Sequence, residues 1–344
     1  METATFIMQT LSDFFSGSGA EVVLSTLGRR VNPMPQASFA AFEREQAPWP
    51  LPWNGRAQVA CALRWPELET DPAIWFLALP LDEQGQLVPA PRDEFLDRLL
   101  QTLSARAASA NGEPAPDNLM QDNPLAFEPE LHQRALLHAR LSRHFGQPPS
   151  AFSDMTRRYL VGDESLDWQM LGLQGLADQV VAEDPAVTSA LVERFDTMPR
   201  EVILALCYLL EHGDTPDELL PTLWSMLESA RERRDIEAFC ALLRALLGSE
   251  DARVGGWLDR ILDDDALMAA DCLAAIAARG WHHLEHEARL ERFLERLAES
   301  QEADFRPVVR DLALIPRLRL PILMMLRQAP MDSSLGRFVR QWNA

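Results

Sequence analysis

At 344 residues, 47% of them hydrophobic, the chain is long enough to fold as two globular domains. Its formal charge of −20 argues against general nucleic-acid binding, because phosphate contacts need local positive charge. All 32 basic residues are arginine, so phosphate-loop, kinase-type and Schiff-base lysine chemistries are excluded.

The opening METATFIMQTLSDFF carries Glu2 and Asp13 and has no basic leader region, so it does not read as a secretory signal. No apolar run reaches the ~18–20 residues of a membrane span. The richest, Leu318 to Leu326, contains Arg319 and Pro321. Cys61, Cys207, Cys240 and Cys272 form no CxxC pair, and a reducing, cytoplasmic setting is expected.

Residues 1–106 read as a small α+β domain. Thr10 to Gly17 reads as the end of a short helix beginning near Thr3, and Glu21 to Val31 follows as two short strands about Gly28. Gln36 to Gln46 has helical spacing, with Phe39 and Phe42 on one side. The proline–tryptophan segment APWPLPW follows, which suits neither helix nor central strand. Val59, Cys61, Leu63 and Trp65 alternate along a half-buried strand, and Ala73 to Leu81 is a more continuously apolar one. A turn at Asp82 to Gly85 leads to a short strand at Gln86 to Val88, and Pro91 opens a helix. Together these predict an antiparallel sheet with helices packed on it.

Residues 107–129 hold four prolines and read as a semi-rigid linker. From 130 to 344 the pattern is helical, with hairpins expected at Phe152–Leu160 with Leu166–Val181, 186–195 with 200–212, 216–230 with 235–247 and 251–262 with 266–279. The last pairs are 286–298 with 304–314 and 317–328 with 333–342. Three apolar runs end on Gly213, Gly248 and Gly280, spaced by 35 and then 32 residues. That period suits a repeated helical hairpin, and glycine closes a helix by entering the left-handed conformation without a Cβ penalty. An α-solenoid of stacked helix pairs is predicted, an architecture that presents surface for partners.

The segments LGRRV (Leu27 to Val31) and IWFLALPLDEQGQLVPAPRDEFL (Ile74 to Leu96) resemble a bacterial family known as domain-of-unknown-function family 3549. The resemblance spans the full length and implies boundaries and class, with no activity to transfer. The second half is similar in architecture to HEAT-type repeats.

No catalytic set emerges: the serines lack a GxSxG elbow, no GxGxxG follows a strand, and no cofactor is expected. Trp281 to Glu287 groups His282, His283, His286 and Glu287 at spacings that can hold zinc on a helix, or that simply make a polar loop between repeats. Trp49 and Trp53, off regular elements and paired with Arg29 and Arg30, compose a contact site of the hot-spot kind, or else a plug at the end of the sheet. Residues 305–344 carry a local charge of +5, leaving −25 on the rest. Arg317, Arg319 and Arg327 in that basic end are candidates for docking an acidic protein surface, another copy of the chain included. The expected function is therefore a non-enzymatic interaction or scaffold role through an acidic helical-repeat surface. A metal-binding enzyme or regulator using His282 to Glu287 is the alternative.

Overall fold

The computed structural model describes residues 8–67, 70–108, 120, 123–213, 215–264 and 269–343. The expected helix start near Thr3, most of the 107–129 linker and the first residues of the helix expected at 266–279 lie outside them. The chain divides into two compact units, one of residues 1–129 with Leu314–Pro316 and one of 130–313 with 317–344. Among the described residues no helix is long and apolar enough to cross a membrane.

The first unit runs α1 (Leu11–Gly17), β1 (Glu21–Thr26), β2 (Asn32–Met34), α2 (Gln36–Glu43), β3 (Arg56–Arg64), β4 (Ala73–Pro80) and α3 (Pro89–Ala108). The strands form one antiparallel sheet in the order β2-β1-β3-β4, with Leu24 opposite both Met34 and Cys61, and Cys61 opposite Trp75. Val59, Cys61 and Leu63 alternate into a core shared with Leu77, Leu79, Phe39, Phe42 and Phe95. Period-2 spacing in the strand and helical spacing in α2 thus meet on one apolar layer. Glu43 is buried at the end of α2, and its carboxylate accepts the backbone N–H groups of Leu11 and Ser12, each at 2.8 Å. Those are orphan donors of the first turn of α1, so a buried acid locks one helix start to another helix end.

Two expectations in this unit need correction. Gln86 to Val88 forms no strand; only an isolated bridge joins Leu81 to Leu87, because Pro89 begins α3 directly afterwards. The end of the predicted linker is also no spacer. Leu125 is buried and its carbonyl accepts the Ala78 N–H at 2.7 Å, while the Phe127 N–H donates to the Phe76 carbonyl at 3.3 Å. This stretch satisfies backbone groups on the edge of β4 that would otherwise be left open.

The second unit is helical. Its first half runs α4 (Leu131–His144), α5 (Ser153–Leu160), α6 (Leu173–Ala182), α7 (Pro185–Arg194), α8 (Arg200–Leu210) and α9 (Leu220–Glu232). Next come α10 (Ile236–Leu247), α11 (Ala252–Asp263), α12 (Ala270–Arg279) and α13 (Glu287–Glu299). The last are α14 (Phe305–Ala313), α15 (Pro316–Gln328) and α16 (Ser334–Asn343). The helix expected over Leu166–Val181 is broken. A short 3-10 turn at Trp168–Met170, capped by Asp167, precedes Gly172, where an added Cβ would lie 3.1 Å from the Phe152 ring. Elsewhere the second helix of each expected pair packs on the next: α6 on α8, α8 on α10, α10 on α12 and α12 on α14. Arginine pairs repeat at the same interval: Arg200 with Asp235, Arg244 with Glu211, Arg289 with Asp259 and Arg317 with Glu285, all 30 to 35 residues apart. Two of these ion pairs, Arg200–Asp235 and Arg317–Glu285, are exposed and contribute little energy, but the period of all four tracks the glycine spacing.

The glycines themselves act differently from expectation. Only Gly213, at φ 105°, occupies the positive-φ region. Gly248 sits at φ −65° and Gly280 at φ −97°, conformations open to any residue. What they lack is room: a Cβ on Gly248 would lie 2.8 Å from the Leu210 carbonyl, and one on Gly280 would lie 2.8 Å from Leu247 Cδ2. Each glycine lets the end of one helix rest on the end of the second helix one period earlier. Gly248→Ala is therefore expected to destabilise the helical unit by about 1–3 kcal/mol through overpacking against backbone. Gly256→Ala, inside α11 with open space around it, is expected to stabilise by about 0.5–1 kcal/mol. Urea unfolding of both variants separates the two explanations. A neutral Gly248→Ala would mean that close approach is not why the glycine is there.

Candidate functional site

Helix α15 needs one apolar face to anchor it, and Leu318 and Ile322, four residues apart, supply it. Yet its outer side is apolar as well. Leu320, Leu323 and Met324 are 65%, 49% and 47% exposed, and Met331 just beyond the helix is 70% exposed. Spacings of three and four residues place the first three on neighbouring turns of one face. Arg317 and Arg327 stand at the two ends of that stripe, both exposed, and Arg319 is half-buried. Arg317 donates to Glu285 at 3.2 Å, while among the described residues Arg327 has no ion-pair partner. A contiguous exposed apolar stripe bounded by arginines is the composition of an interaction surface.

A second feature is a cleft of about 600 Å³ in the same unit, between α7 and the C-terminal half of α8. Val187, Leu191, Leu206 and Leu210 line it with buried apolar side chains. Thr215 also lines it, but its hydroxyl donates to backbone carbonyls at 2.9 and 3.2 Å, leaving the floor apolar in character. Glu183, Glu193 and Glu218, all exposed, stand around it.

The most concentrated charge lies inside. Glu211, just past α8, is buried and accepts from Arg244 of α10 at 2.9 Å and from Arg279 of α12 at 2.6 Å. Burial works to raise the Glu211 pKa, but the two guanidiniums overcome it and hold the carboxyl at about 2. One carboxylate therefore clasps three successive second helices. His212 beside it is also buried, its Nε2 3.7 Å from Glu211. Burial, followed by the nearby Arg279 charge, pushes its pKa well below the ordinary histidine value, so it is neutral at physiological pH. Burial raises the thiols of Cys61, Cys207 and Cys272, and lifts Cys240 to about 11. All four are free and protonated at neutral pH, a state unsuited to nucleophilic attack.

The sequence-predicted residues scatter. Arg29, Arg30 and Trp49 are buried, so they offer no exposed contact surface, contrary to expectation. Arg29 Nε donates to the Pro52 carbonyl at 2.6 Å, and its guanidinium lies 5.3 Å from the centre of the half-buried Trp53 ring. Trp49 packs edge-on against Phe42 at 4.9 Å and donates its ring N–H to Leu51 at 3.1 Å. His283 and His282 both set Nε2 against the Ser249 carbonyl, at 3.0 and 3.3 Å, with His283 in a 3-10 turn. His286 and Glu287 are exposed at the start of α13. Among the described residues no group of three or more His, Cys, Asp or Glu side chains is arranged to hold a metal ion.

A family of proteins of unknown function, DUF3549, matches residues 7–341. The chain belongs to that family. No curated protein and no solved structure matches it. The DUF3549 match spans both units, so the sheet and the helices are parts of one inherited chain. Sequence reading missed the α15 stripe, although a signal was present: Leu318 to Leu326 is apolar on too many sides for a helix with one buried face. Glu211 was missed too, and its only mark is a charged residue ending an apolar run just before Gly213.

Proposed function

We propose that the chain is a non-enzymatic interaction protein whose helical half is a HEAT-like repeat of stacked hairpins. The observation that carries this reading is the outer face of α15, where Leu320, Leu323 and Met324 lie exposed between Arg317 and Arg327. Exposing three large apolar side chains on a helix that already has a buried face adds nothing to folding, and docking a partner gives them a use. Support for the repeat comes from the consecutive packing of second helices and from the glycine and ion-pair period near 33 residues. The strongly acidic remainder of the chain keeps it soluble and steers basic partner surfaces toward it, in keeping with a cytoplasmic adaptor.

Affinity capture from the native host, comparing wild type with Leu323→Asp/Met324→Asp, tests this. A stoichiometric partner retained by wild type and lost by the variant is the expected result, with a fall in affinity of roughly tenfold or more. Equal capture by both proteins would remove α15 as the docking face.

A further inference from the structure

We propose that α15 of one copy seats in the α7–α8 cleft of a second copy, joining chains head to tail. This deepens the interaction reading by naming a partner, and it rests on that reading. The two surfaces are complementary in kind. One is a convex apolar stripe with arginine at both ends; the other is a concave apolar floor with carboxylates around it. Arg317 and Arg327 are ten residues apart, about 15 Å along a helix, which places one at each end of the stripe. Leu320, Leu323 and Met324 together bring about a dozen side-chain heavy atoms, well within what a cleft in the ~300–1,000 Å³ range accepts.

Charge narrows the seat further. Glu183 already pairs with Arg143 at 3.2 Å. Among the described residues Glu193 and Glu218 have no ion-pair partner, so they are the acids offered to Arg327 and to Arg317, which exchanges its exposed 3.2 Å pair with Glu285 on docking. The whole chain carries the same polarity, with +5 on residues 305–344 against −25 elsewhere. Opposed ends of this kind accelerate and orient encounter between copies. Because the stripe and the cleft are different patches, the contact is heterologous. A dimer therefore still shows one free stripe and one free cleft, and growth continues until a ring closes.

Sedimentation velocity of the full chain over a concentration series, at low and at high salt, reads this directly. Mass is expected to rise past the dimer at low salt and to fall back as salt screens the exposed pairs. Leu323→Glu/Met324→Glu blocks the stripe, and Glu193→Arg/Glu218→Arg blocks the cleft. Every substituted position is on the surface, and circular dichroism confirms that the variants keep their helices. Each variant alone is expected to associate roughly tenfold or more weakly. Mixed in equal amounts, they should form dimers and nothing larger, since each supplies the half that the other lacks. Should the mixture stay monomeric, or should the cleft variant associate like wild type, the seat is wrong. A wild type that is monomeric throughout, yet still captures its host partner through α15, would overturn head-to-tail joining and leave the interaction reading standing. Loss of both would overturn both.

Discussion

Glu211→Gln is expected to destabilise the helical unit by about 3–5 kcal/mol, the cost of taking a hydrogen-bonded carboxylate away from a buried guanidinium. The side chain keeps its shape, so almost no packing is lost. What remains is Arg279, as buried as Glu211 itself, whose guanidinium donates at 2.6 Å to an oxygen that would no longer be charged. Arg244 is partly exposed and can turn to water, so adding Arg279→Met to the Glu211→Gln variant should recover much of the loss. Replacing the whole knot with apolar residues of similar volume is expected to be neutral or stabilising, because desolvation offsets most of what the ion pairs contribute. The knot then serves alignment: one carboxylate sets α8, α10 and α12 in register. Acid gives an independent reading. The folded-state pKa of Glu211, about 2, lies below the ordinary 4.5, so its contribution is complete above pH 4.5 and is lost as pH falls toward 2. Within that window the slope reaches about 1.4 kcal/mol per pH unit. Urea unfolding followed by circular dichroism should show this slope in wild type and a reduced one in Glu211→Gln. Equal slopes would mean that other carboxylates govern acid unfolding.

The elements were legible because their periods were strong. Alternation at Val59, Cys61 and Leu63 announced β3, and Gly248 and Gly280 marked the ends of α10 and α12. Spacing also picked out the three glycines, but not why they are there. Gly248 and Gly280 mark where helix ends touch one period apart, a tertiary distance that no local pattern encodes. The site residues were harder to read for the same reason. LGRRV and APWPLPW stood as two separate motifs, and an arginine–tryptophan pairing reads equally as a surface hot spot or as a buried stack. Gly28 decides the matter only in three dimensions: it holds φ 76°, and a Cβ there would lie 2.7 Å from Trp53 Cβ. The two motifs interlock, and the contact surface expected at Arg29, Arg30 and Trp49 is an interior. Conversely, the α15 stripe was hidden because an apolar helix reads as core until its second face is seen to have no neighbour.

Trp49→Ala separates these readings most sharply. A contact-site tryptophan would leave stability near wild type and weaken partner capture. Trp49 is instead fully buried, edge-on to Phe42 at 4.9 Å and to Phe39 at 6.3 Å. Its backbone N–H donates to Gly85 at 2.8 Å, tying the proline segment to the turn before α3. Truncation removes the ring, abandons the Leu51 carbonyl that accepts its N–H, and opens a cavity between α2 and the turn. Losses of about 3–5 kcal/mol accompany changes of this kind. Trp49→Phe keeps most of the volume and is expected to cost less, while still forfeiting the hydrogen bond, worth about 1 kcal/mol. Because the ring belongs to the core of the sheet unit, the loss should appear as earlier thermal unfolding of that unit. The partner capture proposed for α15 should persist at temperatures where the protein stays folded. A Trp49→Ala protein as stable as wild type but unable to hold its partner would restore the proline–tryptophan segment as a contact site.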